Sequence, residues 1–207
     1  MSAIKLYRHP LSGHSHRVEA QLSLLGLAAE IIDVDLMSGA QKHPEFLSKN
    51  SFGQVPAIDD GDVTISDSNA ILVYLASKYD NDRTWYPRGL EEQAEVQRFL
   101  SVAAGKIAFG PAAARLVNVF GAGLDHKTAI ATSHGILALL DAHLEGRNWL
   151  ATNKPTIADT ANYAYIAHAP EGDVSLEAYP NIRAWIKRFV SLKGFVAFTA
   201  TPVGLAA

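Results

Sequence analysis

Three places along this chain hold residues that could bind and ionise a small acidic ligand: Ser12, the Gln54-Val55-Pro56 run, and Asp67-Ser68. Pro56 has no N–H to give a strand ladder, which confines it to a strand start, an edge or a bulge. It also pushes Val55 into an extended conformation, so that the Val55 N–H and C=O can pair with an extended peptide by strand addition. Ser66-Asp67-Ser68-Asn69 are four capping-type residues ahead of Ala70, Ile71, Tyr74, Leu75 and Tyr79, whose spacing predicts a helix starting near Asp67. Its first N–H groups and the positive end of its dipole would suit a carboxylate. The alternative is that Asp67 and Ser68 only cap the helix, worth about 1 kcal/mol.

Ser12 stands in the loop His9-Pro10-Leu11-Ser12-Gly13, just before a helical pattern. It is either a helix cap or a hydroxyl that donates to an anion held by the Val55 and Asp67 elements. If the anion is a thiolate, the requirement is modest. A thiol with a pKa near 8.5 is a few per cent ionised at pH 7, and each unit of depression stabilises the thiolate by about 1.4 kcal/mol. One charge-assisted hydrogen bond and a helix dipole supply roughly one to two such units. The chain has no cysteine, so that thiol would have to arrive with a ligand, and disulfides and Cys-zinc sites are excluded.

The elements that must position these groups are legible in order. Ile4-Lys5-Leu6-Tyr7-Arg8 alternates as a strand. Val18, Leu22 and Leu25 fall at helical spacing with Gly26 behind them, which predicts a helix from about Ser15 to Leu25. A strand follows over residues 30–36, then a short helix around residues 44–48. Ala57-Ile58 and Val63-Thr64-Ile65 form a hairpin about an Asp- and Gly-rich turn. With the Asp67 helix this makes a βαβ-α-ββα domain over residues 1–80, its first strand pair parallel. Residues 81–89 read as a linker anchored by Trp85 and Tyr86.

Residues 90–207 show no strand pattern and predict an all-helical domain, with helices near 91–120, 126–145, 157–168, 182–190 and, more weakly, 192–198. Gly105, Gly110 and Pro111 predict a bend in the first of these near residue 110. The Thr156-Ile157-Ala158-Asp159 run reads as a variant capping box.

The 207 residues are 48% apolar and 19% charged, an ordinary globular composition. The net charge of -3 and the lack of a dense Lys/Arg cluster argue against a nucleic-acid partner. No apolar run of about 18 residues and no signal-peptide pattern at Met1-Ser2-Ala3 is found, so the expectation is a cytoplasmic protein without a membrane partner. His9, His14, His16 and His43 crowd the first domain, but convergent ligands are not evident, and no metal is expected.

Taken together, the Ser12 loop, the run from Asn50 to Ile58, the Asp67-Ser68-Asn69-Ala70-Ile71 helix start and the helical second half resemble a cytosolic glutathione transferase over essentially the whole chain. The resemblance implies a thioredoxin-like first domain, a cis bond before Pro56 and a homodimer. It makes Ser12 the hydroxyl that activates the glutathione thiol, with Ser15 as a rival. By the same resemblance Val55, beside Pro56, pairs with the cysteinyl backbone of glutathione, Asp67 and Ser68 hold its γ-glutamyl end, and Gln41 and Gln54 hold its glycyl end. The run from Ser12 to Val18 is similar to the zeta class, except that His14 stands where that class has cysteine. Arg17 reads as a structural ion-pair partner and Asp159 as a structural cap.

Leu11, Phe109 and Arg115 are the candidates for a second, apolar pocket. The implied reaction is transfer of the glutathione sulfur to a small electrophile. The alternatives are a glutathione-dependent disulfide or peroxide reductase and a non-catalytic glutathione-binding or interaction protein.

Overall fold

The computed structural model of the chain describes residues 3–207; Met1 and Ser2, on which the signal-peptide expectation in part rests, lie outside the described residues. The elements run β1 Ile4–Arg8, α1 Gly13–Leu24, β2 Ala29–Asp33, α2 Pro44–Leu47, β3 Ala57–Asp60, β4 Val63–Ser66 and α3 Ser68–Tyr79. The four strands make one mixed sheet in the order β2-β1-β3-β4, with β1 parallel to β2 and β3 antiparallel to both β1 and β4. The βαβ-α-ββα order is the thioredoxin-like one anticipated.

Alternation along the strands divides the apolar side chains between the two faces of the sheet. Ile4, Leu6 and Ile58 pack with Val18 and Leu22 of α1 and with Ile71 and Leu75 of α3. Ala57, with Tyr7 and Val55 beside it, packs against Phe46 of α2. Each fully buried Leu or Ile contributes about 1.5–3 kcal/mol. Two acidic residues pin the strands to their neighbours. The Asp59 carboxylate accepts from Tyr7 Oη at 2.8 Å, Lys49 Nζ at 2.6 Å and Thr64 Oγ1 at 2.7 Å. Asp60, one residue on, accepts from Tyr74 Oη, Lys78 Nζ and Tyr79 Oη of α3.

Register decides where the functional loops fall. Ala57 is opposite both Tyr7 of β1 and Ser66 of β4. The loop after β1, the loop before β3 and the turn after β4 therefore open at the same end of the sheet, and these carry Ser12, Val55 and Asp67.

The chain divides into two compact units, 1–83 with 193–199 and 84–192 with 200–207. The second unit is helical: α4 Leu90–Val102, a π-helical stretch Ala103–Ala112, α5 Ala113–Phe120, α6 His126–His143, α7 Ile157–Ala167 and α8 Pro180–Val190. The segment that holds Gly105, Gly110 and Pro111, where the sequence predicts a bend, takes π-helical geometry over Ala103–Ala112. Gly110 is needed for a second reason, since a Cβ there would lie 3.1 Å from the Ser133 backbone nitrogen of α6.

The 31-residue helical run Leu90–Phe120 has the length and composition of a membrane span, but half of its apolar window is buried inside the protein, as in a core helix. Thr156 and Asp159 form the anticipated capping box, and Asp159 also accepts from Leu150 N–H at 3.0 Å and Trp185 Nε1 at 2.9 Å.

The helix expected over residues 192–198 does not form. Gly194 adopts φ +89° with its backbone against the Ser23 carbonyl, where a Cβ would meet oxygen at 2.8 Å. Beyond it the Val196 carbonyl accepts from His16 Nε2 at 2.9 Å, and the Phe198 ring lies 5.0 Å from the imidazole. Contacts to α1 replace local helical bonds, so residues 193–199 join the first unit.

Candidate active site

Ser12 is the N-cap of α1, with extended backbone (φ -89°, ψ 116°), and its Oγ accepts from the Ser15 N–H at 3.2 Å. Among the described residues the hydroxyl donates to nothing, because the cap uses a lone pair and leaves the proton. The cap reading and the chemical reading of Ser12 are thus compatible. Ser15 is placed differently. It is 1% exposed, and its Oγ accepts from the His9 N–H at 3.2 Å, which makes it a buried tie between the loop and the helix.

The Val55–Pro56 peptide bond is cis. The Val55 N–H and C=O enter no hydrogen bond among the described residues. The loop before them is shaped by Asn50, which is buried, donates through Nδ2 to the Gln54 carbonyl at 2.7 Å and accepts from the Phe52 N–H at 3.1 Å. Gly53 (φ +60°) lets this loop touch the next turn, since a Cβ there would fall 2.9 Å from the Gln41 carbonyl oxygen. Gln41 and Gln54 are therefore neighbours across Gly53, with Gln54 exposed and Gln41 half-buried. Lys42 sits in the same turn, is exposed and donates to the Phe52 carbonyl at 3.4 Å. Sequence reasoning passed over Lys42; its signal was adjacency to Gln41.

Asp67 caps α3, accepting from the Ala70 N–H at 2.9 Å. Its φ of +73° is a left-handed conformation that costs a non-glycine residue about 1–3 kcal/mol and that clusters at ligand sites. Ser68, only 4% exposed, follows it at the first helical position. The Ser68 Oγ lies 3.1 Å from Arg17 Nη1 and 3.3 Å from His14 Nδ1, and the same Arg17 nitrogen is 2.9 Å from His14 Nδ1. Arg17, expected only as an ion-pair partner, is thus tied into the site. Burial first, and the Arg17 charge second, push the His14 pKa down to about 3. His9 is also lowered, by burial, against the opposing charges of Asp33 and Asp35.

The second-pocket candidates part company. Leu11 is half-buried in the β1–α1 loop, its N–H donating to His9 Nδ1 at 3.3 Å. Phe109, 72% exposed, lines a groove of about 420 Å³ in the helical unit with Arg98, Ser101, Lys106 and Thr132. Arg115 lines no such surface. It is 1% exposed, and its Nε donates to the equally buried Glu171 at 2.7 Å, where His168 and Thr201 also bind the carboxylate. A buried guanidinium needs that partner, so Arg115 is a structural ion pair. No group of three metal-ligating side chains converges among the described residues.

A thioredoxin-like unit with a helix-capping serine, an open backbone pair before a cis-proline and a polar helix start, followed by a helical unit, defines the architecture of glutathione transferases. Residues 2–77 match the family model of the glutathione S-transferase N-terminal domain and residues 125–193 that of the C-terminal domain. Glutathione S-transferase 3 of Zea mays is 34% identical over 94% of this chain and 92% of its own. The crystal structure of a glutathione S-transferase from Pseudomonas fluorescens superimposes with a TM-score of 0.89 at 28% identity, covering 96% of this chain and 100% of that one. A glutathione transferase homolog of Drosophila mojavensis, solved with bound glutathione, superimposes with a TM-score of 0.85 at 30% identity over 93% and 89% of the two chains. The chain belongs to the glutathione S-transferase family.

Proposed function

We propose that this protein is a glutathione transferase that ionises the glutathione thiol and adds its sulfur to a small, mostly apolar electrophile. The observation that carries the reading is the unspent Val55 N–H and C=O, at the same end of the sheet as the Ser12 hydroxyl and the α3 start. An extended tripeptide laid along Val55 gains two main-chain hydrogen bonds there. In this reading the γ-glutamyl end lies at Asp67 and Ser68, its α-ammonium donating to the Asp67 carboxylate and its α-carboxylate meeting the Ser68 hydroxyl and the start of α3. The glycyl end lies at Gln41 and Gln54, with Lys42 supplying a cation for its carboxylate.

The Ser12 proton is then donated to the sulfur while its lone pair goes on capping α1. The thiol proton leaves to solvent, the thiolate attacks the electrophilic carbon, and the leaving group departs with the electron pair of its own bond. Depressing the thiol by one to two pKa units raises the thiolate fraction at neutral pH by roughly tenfold or more. Leu11 is the proposed apolar contact for the electrophile in the first unit.

The protein is proposed to act in the cytoplasm as a homodimer. Support for a second copy is the set of large apolar side chains left exposed, Phe52 at 78% and Leu90 at 82% among them. The catalytic reading is tested by conjugation kinetics with an aryl halide. Wild type should turn over, and Ser12→Ala should lose on the order of 10²-fold in kcat with glutathione KM within a few fold. An unchanged kcat would remove Ser12 from the role.

A further inference from the structure

His14 of α1 lies at the contact with α3, against Ser68. The hydrogen positions there follow from chemistry. Arg17 can only donate, so the 2.9 Å contact from Arg17 Nη1 makes His14 Nδ1 an acceptor and puts the imidazole proton on Nε2. Arg17 Nη1 carries two hydrogens, and the second points to Ser68 Oγ at 3.1 Å. The single lone pair on His14 Nδ1 is taken by Arg17, so the longer 3.3 Å approach of Ser68 to the same nitrogen is not its hydrogen bond. Ser68 is then an acceptor on its buried side, and its own proton is left for a ligand at the first turn of α3. A hydroxyl that accepts from a guanidinium is polarised into a stronger donor.

We propose that His14 and Arg17 are positioning residues for the γ-glutamyl carboxylate of glutathione: they lock Ser68 as a hydrogen-bond donor at the start of α3. The inference rests on the glutathione reading above. It assigns a neutral imidazole to a task that any side chain with an acceptor in that place could perform. A residue without one removes the acceptor that takes one Arg17 Nη1 hydrogen, and with it the contact that aims the other at Ser68 Oγ.

The test is calorimetry and steady-state kinetics with glutathione and with 4-aminobutyryl-cysteinylglycine, which lacks only the γ-glutamyl α-carboxylate. Wild type should bind glutathione clearly more tightly than the analogue. His14→Leu should raise glutathione Kd and KM by about tenfold, the loss of roughly one charge-assisted hydrogen bond, with kcat and the pH profile of kcat unmoved. Its affinity for the analogue should stay within twofold of wild type, and His14→Gln, which keeps an acceptor, should recover most of the glutathione affinity. Equal losses for both ligands, or no loss for glutathione, would overturn the proposal. Should His14→Leu fail to fold, Arg17→Lys is read on the same two ligands by the same criterion. Failure of wild type to bind glutathione at all would instead strike the glutathione reading itself.

Discussion

Ser12 and Ser15 stand three residues apart on one turn of α1, and their burial separates their tasks. Ser15 holds the His9 N–H from a position 1% exposed, so Ser15→Ala strands a buried donor and should cost about 1–3 kcal/mol in urea unfolding while leaving kcat nearly unchanged. A large loss of kcat in a fully folded Ser15→Ala would instead make Ser15 the catalytic hydroxyl. Ser12 was legible in the sequence because Pro10 and Gly13 mark its loop and a helix follows. What the sequence could not show is pairing across long separations. Arg115 reads as a candidate for the second pocket until Glu171, 56 residues away, is seen against it. The contact of Ser68 with Arg17 spans 51 residues and leaves no local pattern.

At the scale of elements, Asp60 carries much of the tie between β3 and α3. Burial pushes its carboxyl up, but hydrogen bonds from Lys78, Tyr79 and Tyr74 and the Lys78 charge outweigh burial and hold it below the ordinary value of 3.8. The unfolded chain therefore takes up this proton at a higher pH than the native chain does. The stabilisation is whole above the ordinary carboxylate range and is lost as pH falls through the native pKa. Asp60→Asn should cost about 2 kcal/mol at neutral pH and flatten the stability profile of the first unit between pH 5 and 3, roughly the window in which carboxylates titrate; an unchanged profile measured by denaturant unfolding would contradict this.

Most elements were legible because their periods are clean: alternation in β1, helical spacing in α1 and α3, a turn between β3 and β4. The helix expected over residues 192–198 fails for a reason that leaves no local pattern: Gly194 answers to the Ser23 carbonyl beside it in space, as Gly110 answers to the Ser133 backbone of α6.

Across the whole molecule, the chain forms a sheet unit and a helical unit, and the polypeptide from Lys193 to Thr199 returns to the first after α8 is complete. Periodicity points to a sheet unit and a helical one but not to this return, because the His16 to Val196 bond that holds it spans 180 residues. The proposed homodimer is a statement at this scale. Sedimentation should give twice the chain mass at micromolar concentration, and a monomer across the whole accessible range would remove it.

The central claim is that the protein lowers the pKa of a bound thiol through Ser12. The measurement that meets it most directly is the ultraviolet difference spectrum of the protein with glutathione across a pH titration, wild type beside Ser12→Ala. The account predicts a thiolate band that appears one to two units below the free thiol's pKa of about 8.5 in wild type and moves back toward it in Ser12→Ala. Glutathione that binds without a thiolate band, or a band indifferent to Ser12, would contradict it.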